Sequence, residues 1–225
     1  MGWAEWRRGP EVEPSIYAAD FARLGDQLAP LLDGGAKIFQ FDVGDGHFVP
    51  PVTIGPIVLQ AISPLFRERG GILDVHLMVD NPAHHFEAFA EAGADSVTFH
   101  FEVVETPGAL IDRARRLGLQ VGLAFNPETE LEEVAKASVG FDLVLCMGVH
   151  PGFSGQSYIP ETTDRIRRLR ELLPSEIPIQ VDGGVGLDNV RELREAGAEL
   201  FVAGSSVFGR GDPVAAYREL HVAAQ

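Results

Sequence analysis

Cationic side chains are scarce in this sequence. It carries 18 Lys and Arg against 33 Asp and Glu, a formal net charge of −15. Nucleic acid and anionic membrane both need a basic surface, so neither is expected as the main partner. A small anion is not excluded, because backbone N–H groups can bind phosphate locally whatever the overall charge. Cysteine is almost missing. Cys146 is alone, which rules out an intrachain disulfide, and its run Leu143-Val-Leu-Cys-Met147 reads as a buried apolar strand. No apolar run approaches the ~18 residues that a membrane span needs. The first ten residues lack the apolar core of a signal peptide, and Trp6 stands where a myristoylation motif wants Ser or Thr. The expected compartment is therefore the cytoplasm. No linker, low-complexity tract or composition shift divides the chain.

Apolar residues are plentiful at 45%, and charged residues are ordinary at 23%, as in a soluble protein with a sizeable core. Short β-type runs recur near residues 14–18, 37–42, 73–79, 96–101, 120–125, 143–147, 179–182 and 200–203. Longer segments with helical spacing lie between them, such as Ala22–Leu32, Phe86–Ala92, Ile166–Leu173 and Asp188–Ala196. Pro82, Pro160 and Pro213 suit first helical turns, and Asp20 and Thr129 suit caps. Two echoes support the alternation. Glu91-Ala-Gly-Ala-Asp95 and Glu195-Ala-Gly-Ala-Glu199 each close a helix with glycine and feed a strand. Eight such units fit a single (β/α)8 TIM barrel over residues 14–225, behind a loose leader at 1–13 whose Trp3 and Trp6 have no assigned role. The runner-up, an open doubly wound sheet, would need a glycine-rich fingerprint after the first strand, and Ser15–Asp20 has none.

In a barrel the strand C-termini converge on one face, and the site lies there. The strand ends offer Ser15, Gln40, Asp42, His76, Met78, His100, Glu102, Asn126, Met147, His150, Asp182 and Gly204-Ser-Ser206. Asp42 closes Phe39-Gln-Phe-Asp42, and Asp182 closes Ile179-Gln-Val-Asp182. Two acids across one cavity suit a reaction that takes a proton from one face of a carbon and returns one to the other. With His76 they make a mixed nitrogen and oxygen cluster suited to a divalent cation, which would stabilise an enediolate as a Lewis acid. Three glycine loops follow the sixth, seventh and eighth strands: His150-Pro-Gly-Phe-Ser-Gly-Gln156, Gly183-Gly184 and Gly204-Ser-Ser206. Loops in these positions of a barrel commonly hold phosphate through backbone N–H groups. Pairs such as His84 and His85 are read as solvated.

Several stretches in order resemble one family: Pro14-Ser-Ile, Ala19-Asp-Phe-Ala-Arg-Leu24, Asp45-Gly-His-Phe-Val-Pro50, Asp74-Val-His-Leu-Met-Val79, Asn126-Pro127, Pro151-Gly-Phe153, Val181-Asp-Gly-Gly184 and Ala203-Gly-Ser205. The chain is similar to the ribulose-phosphate 3-epimerases across nearly all of residues 14–220. That resemblance implies a ribulose-phosphate-binding (β/α)8 barrel interconverting D-ribulose 5-phosphate and D-xylulose 5-phosphate at C3. It makes Asp42 and Asp182 the acid/base pair and also metal ligands with His76. Ser15 would contact the substrate, with His76, Met78 and Met147 beside it. The phosphate would lie against Gly152, Phe153, Ser154, Gly155, Gly183, Gly184, Gly204 and Ser205. A homo-oligomer is the expected assembly.

Two departures change expectations. The family pattern at the second strand is His-x-Asp-x-Met-Asp-Gly, and here the stretch is Gln40-Phe-Asp-Val-Gly-Asp-Gly46. Gln40 would replace an imidazole ligand by a carbonyl oxygen, leaving the cation open among Mn²⁺, Fe²⁺, Co²⁺, Zn²⁺ and Mg²⁺ and favouring the harder ions. Gly44 stands where the family has a methionine over the sugar, so open space is expected there, and with it room for a hexulose or tetrulose phosphate. Related barrels that decarboxylate or isomerise sugar phosphates use a lysine at the second or third strand end, and Lys37 lies at the wrong end of its strand. A barrel that only binds sugar phosphate, with its metal lost through Gln40, is the non-enzymatic alternative.

Overall fold

The computed structural model describes residues 2–153 and 155–225. Met1 and Ser154, the latter among the expected phosphate contacts, lie outside the described residues. Eight parallel strands alternate with helices. The strands are β1 (Glu11–Pro14), β2 (Ile38–Gly44), β3 (Ile72–Met78), β4 (Ser96–His100), β5 (Gln120–Phe125), β6 (Leu143–Met147), β7 (Ile179–Asp182) and β8 (Leu200–Ala203). The helices are α1 (Trp3–Trp6), α2 (Leu24–Asp33), α3 (Pro56–Arg69), α4 (Phe86–Ala92), α5 (Pro107–Arg116), α6 (Leu131–Ala137), α7 (Thr162–Leu172), α8 (Val190–Ala196), α9 (Ser205–Phe208) and α10 (Pro213–Ala224). Each strand pairs with its sequence neighbour, and β1 pairs with β8. The remaining β1–β2 seam is joined by a single parallel bridge between Ser15 and Gln40. This is the (β/α)8 barrel that the alternation predicts.

Strand side chains alternate between two environments, as the pleat requires. Outward positions are large and apolar. Phe39 packs edge-on to Phe66 of α3 at 5.0 Å between ring centroids, Phe41 meets Phe89 of α4 at 6.1 Å, and Phe99 meets Phe86 at 5.8 Å. All six rings are essentially fully buried in the shell between sheet and helices. Each contributes about 1.5–3 kcal/mol by burial, which makes this shell the main source of stability. Inward positions are polar toward the C-terminal mouth and apolar toward the other end.

That other end is closed by the N-terminal segment. Trp3 and Trp6 are only 3% and 4% exposed and stack edge-on at 5.2 Å. They pack with Ile38, Leu143 and Leu200, the inward residues at the base of β2, β6 and β8. Arg7 pairs with Glu199, and Gln225 donates to the Pro10 carbonyl at 2.9 Å, so both chain ends are tied together beneath the barrel. The loose leader expected at 1–13 is thus a plug, and the first strand begins at Glu11 rather than near residue 14. Periodicity over so short a segment carries no signal that its two indoles will be buried.

Most other boundaries move by a residue or two, as helix ends do, but α7 opens at Thr162, four residues before the expected Ile166. Pro213 opens α10, but Pro160 precedes α7 by two residues. Asp20 accepts from the Ala22 N–H as a cap should. Thr129 does not cap α6, because its hydroxyl is used by Glu102 instead.

Candidate active site

The polar centre lies at the C-terminal mouth. Asp42 and His76 face inward from β2 and β3, and their backbones are register partners. Asp182 comes from the end of β7. Ligand atoms of these three side chains lie within 4.8 Å of one another, an arrangement that can hold a metal ion. His76 Nδ1 is 3.1 Å from Asp42 Oδ1 and 3.4 Å from Asp182 Oδ2. Ser15 donates to Asp42 Oδ2 at 2.5 Å from just beyond β1. Gln40 Nε2 donates to Asp42 Oδ1 at 2.7 Å and to Asp182 Oδ2 at 2.8 Å. Five expected site residues from four parts of the sequence therefore form one hydrogen-bonded cluster.

The electrostatics follow from burial. Asp182 is raised above the usual carboxylate range by burial and then by the nearby charge of Asp42, against hydrogen bonds from His76 and Gln40. His76 is fully buried, which opposes its charge, but hydrogen bonds to Asp182 and Asp42 outweigh this and hold its pKa up at about 9. Gln40 Oε1 is buried without a partner. An unpaired buried carbonyl is costly, about 1–3 kcal/mol, and beside an acid cluster it is an oxygen donor in waiting. The donor set thus fits a divalent cation.

A cavity of about 510 Å³ opens over the cluster, lined by Ser15, Asp42, Met78, Met147 and Asp182 on one side. Gly152, Phe153, Gly155, Gly183, Gly184, Gly204 and Ser205 line the other side. His76 and Gln40 sit beneath its floor, fully buried. Gly183 and Gly184 have φ of +108° and +68°, and a Cβ there would lie 2.4 Å from Val149 and 2.7 Å from Tyr158. Both conformation and space demand glycine at this turn. Asn189 holds the turn, donating to the Gly184 carbonyl at 3.0 Å and accepting from the Gly186 N–H at 2.9 Å.

Gly44 does not open the pocket. Its missing Cβ position lies 2.7 Å from the Pro51 carbonyl oxygen and 2.8 Å from Val49. The loop after β2 folds back onto the strand, clipped by Thr53, whose hydroxyl accepts from the Gly44 N–H at 2.7 Å and donates to the Asp42 carbonyl at 3.0 Å. The space expected from the lost side chain is occupied by the chain's own backbone. A single position in a motif does not show where a following loop will settle.

Sequence reasoning missed a second tier. Glu13, Asp74 and Gln180 project inward from β1, β3 and β7, one layer below the site. Gln180 Nε2 donates to Glu13 Oε2 at 2.5 Å and to Asp74 Oδ2 at 3.1 Å, and Ser96 donates to Asp74 Oδ1 at 2.6 Å. The alternation Glu11-Val-Glu13 was the available signal. Tyr17 and Tyr158 also line the cavity, as does Gln156 at the end of the expected glycine loop.

Fold and site together define the class: a (β/α)8-barrel enzyme whose polar centre is built around two neighbouring carboxylates. The sequence model of the Ribulose-phosphate 3 epimerase family matches residues 11–208, and the chain belongs to that family, whose members are isomerases. Ribulose-phosphate 3-epimerase of Serratia marcescens is 43% identical over 206 residues, covering 89% of this chain and 96% of that protein. The protein of the same name from Mycobacterium tuberculosis strain H37Rv is 41% identical over 215 residues, covering 94% of this chain and 92% of that one. Among solved structures, 3-hexulose-6-phosphate synthase from Salmonella typhimurium superposes with a TM-score of 0.74 at 17% identity, covering 95% of this chain and 98% of that chain, a likeness of fold.

Proposed function

We propose that this enzyme interconverts D-ribulose 5-phosphate and D-xylulose 5-phosphate by moving the proton at C3. The observation that carries the reading is the placement of two carboxylates, Asp42 and Asp182, from separate strands beside one cavity whose far rim is glycine. One carboxylate takes the C3 proton from one face of the ketose. The electron pair moves toward the C2 carbonyl, giving an enediolate, and the other carboxyl delivers a proton to the opposite face. The roles exchange in the reverse direction. The raised Asp182 suits the member that starts protonated. Ser15, Met78 and Met147 surround the sugar end above the buried His76, and backbone N–H groups at Gly152, Phe153, Gly155, Gly183, Gly184, Gly204 and Ser205 hold the phosphate.

Asp42, His76 and Asp182 would hold a divalent cation that supplies positive charge where negative charge develops on the substrate, and Gln40 would join them once its amide turns its oxygen, in place of Nε2, toward the acids. The oxygen-rich set suits Mn²⁺ or Mg²⁺. Because Gly44 is filled by the loop after β2, the pocket is read as fitted to a pentulose phosphate.

The test is deuterium incorporation at C3 in D₂O, followed by NMR with ribulose, xylulose, tetrulose and hexulose phosphates in turn. Exchange is expected with the pentulose pair, and Asp42→Asn and Asp182→Asn should each lower epimerisation by roughly 10²–10⁴-fold, with exchange retained only for the epimer whose C3 proton faces the remaining carboxylate. No exchange with any ketose phosphate overturns the reading. Near-normal epimerisation in either variant overturns the two-carboxylate scheme.

A further inference from the structure

Beside the acid cluster a chain of side chains runs from β3 to the end of β4 and on to the loop after β5. His76 Nε2 lies 2.9 Å from His100 Nε2, and His100 Nδ1 lies 3.2 Å from Glu102 Oε2. Glu102 is held in turn. Its Oε1 accepts from the Asn126 N–H at 2.8 Å and from the Thr129 hydroxyl. The chain thus begins at Asp42 and Asp182, passes through two fully buried imidazoles, and ends on the loop after β5.

Hydrogen-bond direction along this chain is forced from its outer end. Burial opposes the charge of Glu102, but hydrogen bonds with His100, the Asn126 N–H and the Thr129 hydroxyl outweigh it and hold its pKa down at about 2, so it is a carboxylate and only accepts. His100 Nδ1 must then carry a proton. A neutral His100 has a bare Nε2, which can only accept, so the short contact to His76 requires a proton on His76 Nε2. His100 is fully buried, which disfavours a second, charging proton on its ring. With its Nε2 proton committed, His76 turns Nδ1 toward Asp42 and Asp182, the nitrogen that a cation or a carboxylate would use.

We propose that His100 and Glu102 are positioning residues that fix the ring orientation and the Nε2–H form of His76, so that His76 Nδ1 always faces the two carboxylates. The proposal rests on the epimerase reading for its effect on turnover, but not for its effect on His76. Outer partners of a ligating histidine generally cost 10- to 100-fold in metal affinity or activity when removed, and a loss of about that size is expected here.

Two variants separate hydrogen bonding from packing. The His100 ring lies edge to edge with His76, 5.1 Å between centroids, and is 4.6 Å from the Phe48 ring centroid. His100→Phe keeps the ring and removes the acceptor. His100→Gln loses the ring but offers an amide oxygen to the same proton. The measurements are the downfield proton signal of His76 Nε2–H in the metal-free protein, Mn²⁺ affinity by titration calorimetry, and kcat and KM separately. A positioning role predicts that wild type exceeds His100→Gln, which exceeds His100→Phe, with the downfield signal lost only in the Phe variant and the fall carried by kcat. Glu102→Ala should shift the His76 signal and lower Mn²⁺ affinity in the same sense. If His100→Phe keeps the signal and the affinity, or outperforms His100→Gln, the proposal is overturned. An inactive wild type that still shows the signal and the ranked Mn²⁺ affinities would overturn the epimerase reading and leave this one standing.

Discussion

The amide nitrogen of Gln40 spans Asp42 and Asp182, donating to one at 2.7 Å and to the other at 2.8 Å. The contact places a neutral donor between two buried acids, where it lowers their mutual repulsion without adding charge. Gln180 repeats the arrangement one layer down, between Glu13 and Asp74.

Gln40→His should exchange this bridge for an imidazole. Imidazole is the stronger ligand for Zn²⁺ and Co²⁺, so affinity for these ions should rise about tenfold or more, ~1.4 kcal/mol. Metal content after dialysis against a chelator series checks it. Equal content in both proteins would show that residue 40 takes no part in binding.

Glu13→Gln should stabilise the protein at neutral pH. Glu13 is fully buried, and burial followed by the charge of Asp74 raises its pKa well above the ordinary glutamate value of 4.5. The sign is set by the unfolded chain. Above 4.5 the unfolded Glu13 gives up its proton while the folded one keeps it, so wild-type stability falls as pH rises toward the folded value. Each unit of that window costs about 1.4 kcal/mol. The variant should therefore match wild type near pH 4 and exceed it increasingly by pH 7. Thermal melts across that range are the measurement, and a gap that shrinks as pH rises would be the wrong sign.

Gly44→Ala should lower stability and raise KM. The added methyl would meet the Pro51 carbonyl and Val49, and the loop after β2 must shift to admit it. Overpacking of this kind costs about 1–3 kcal/mol. Denaturant unfolding together with steady-state kinetics reads both effects. A variant with unchanged stability and a looser substrate preference would mean that the position is open after all.

Trp3→Ala should unplug the base of the barrel. Loss of a buried indole costs about 3–5 kcal/mol, and at a chain end the lower figure is expected. The midpoint of chemical unfolding followed by circular dichroism should drop, while kcat stays near wild type because the plug is at the opposite end from the acid pair. An unchanged midpoint would show that the leader contributes nothing to the fold.

Much of this molecule could be read along the chain. Strands such as Leu143–Met147 and Ile179–Asp182 coincide with their apolar runs, because a short buried strand is dictated by its own residues. Asp42, His76 and Asp182 stand out for a similar reason: an ionisable residue inside an apolar run is conspicuous wherever the run ends up. Order and spacing of the glycine loops were enough to place them on one rim. Trp3 and Trp6 were not legible, since nothing local says which cavity a pair of indoles will fill.

Alternation of residue types therefore determined the barrel, the face that holds the site and the acids within it, because a pleated strand sorts its side chains by itself. Only the closed tertiary structure decided that Gln40 bridges those acids, that Gly44 is covered by its own loop, and that His76 leans on His100 and Glu102. Those relationships depend on distances between strands far apart in sequence, and such distances exist only once β1 and β2 have met.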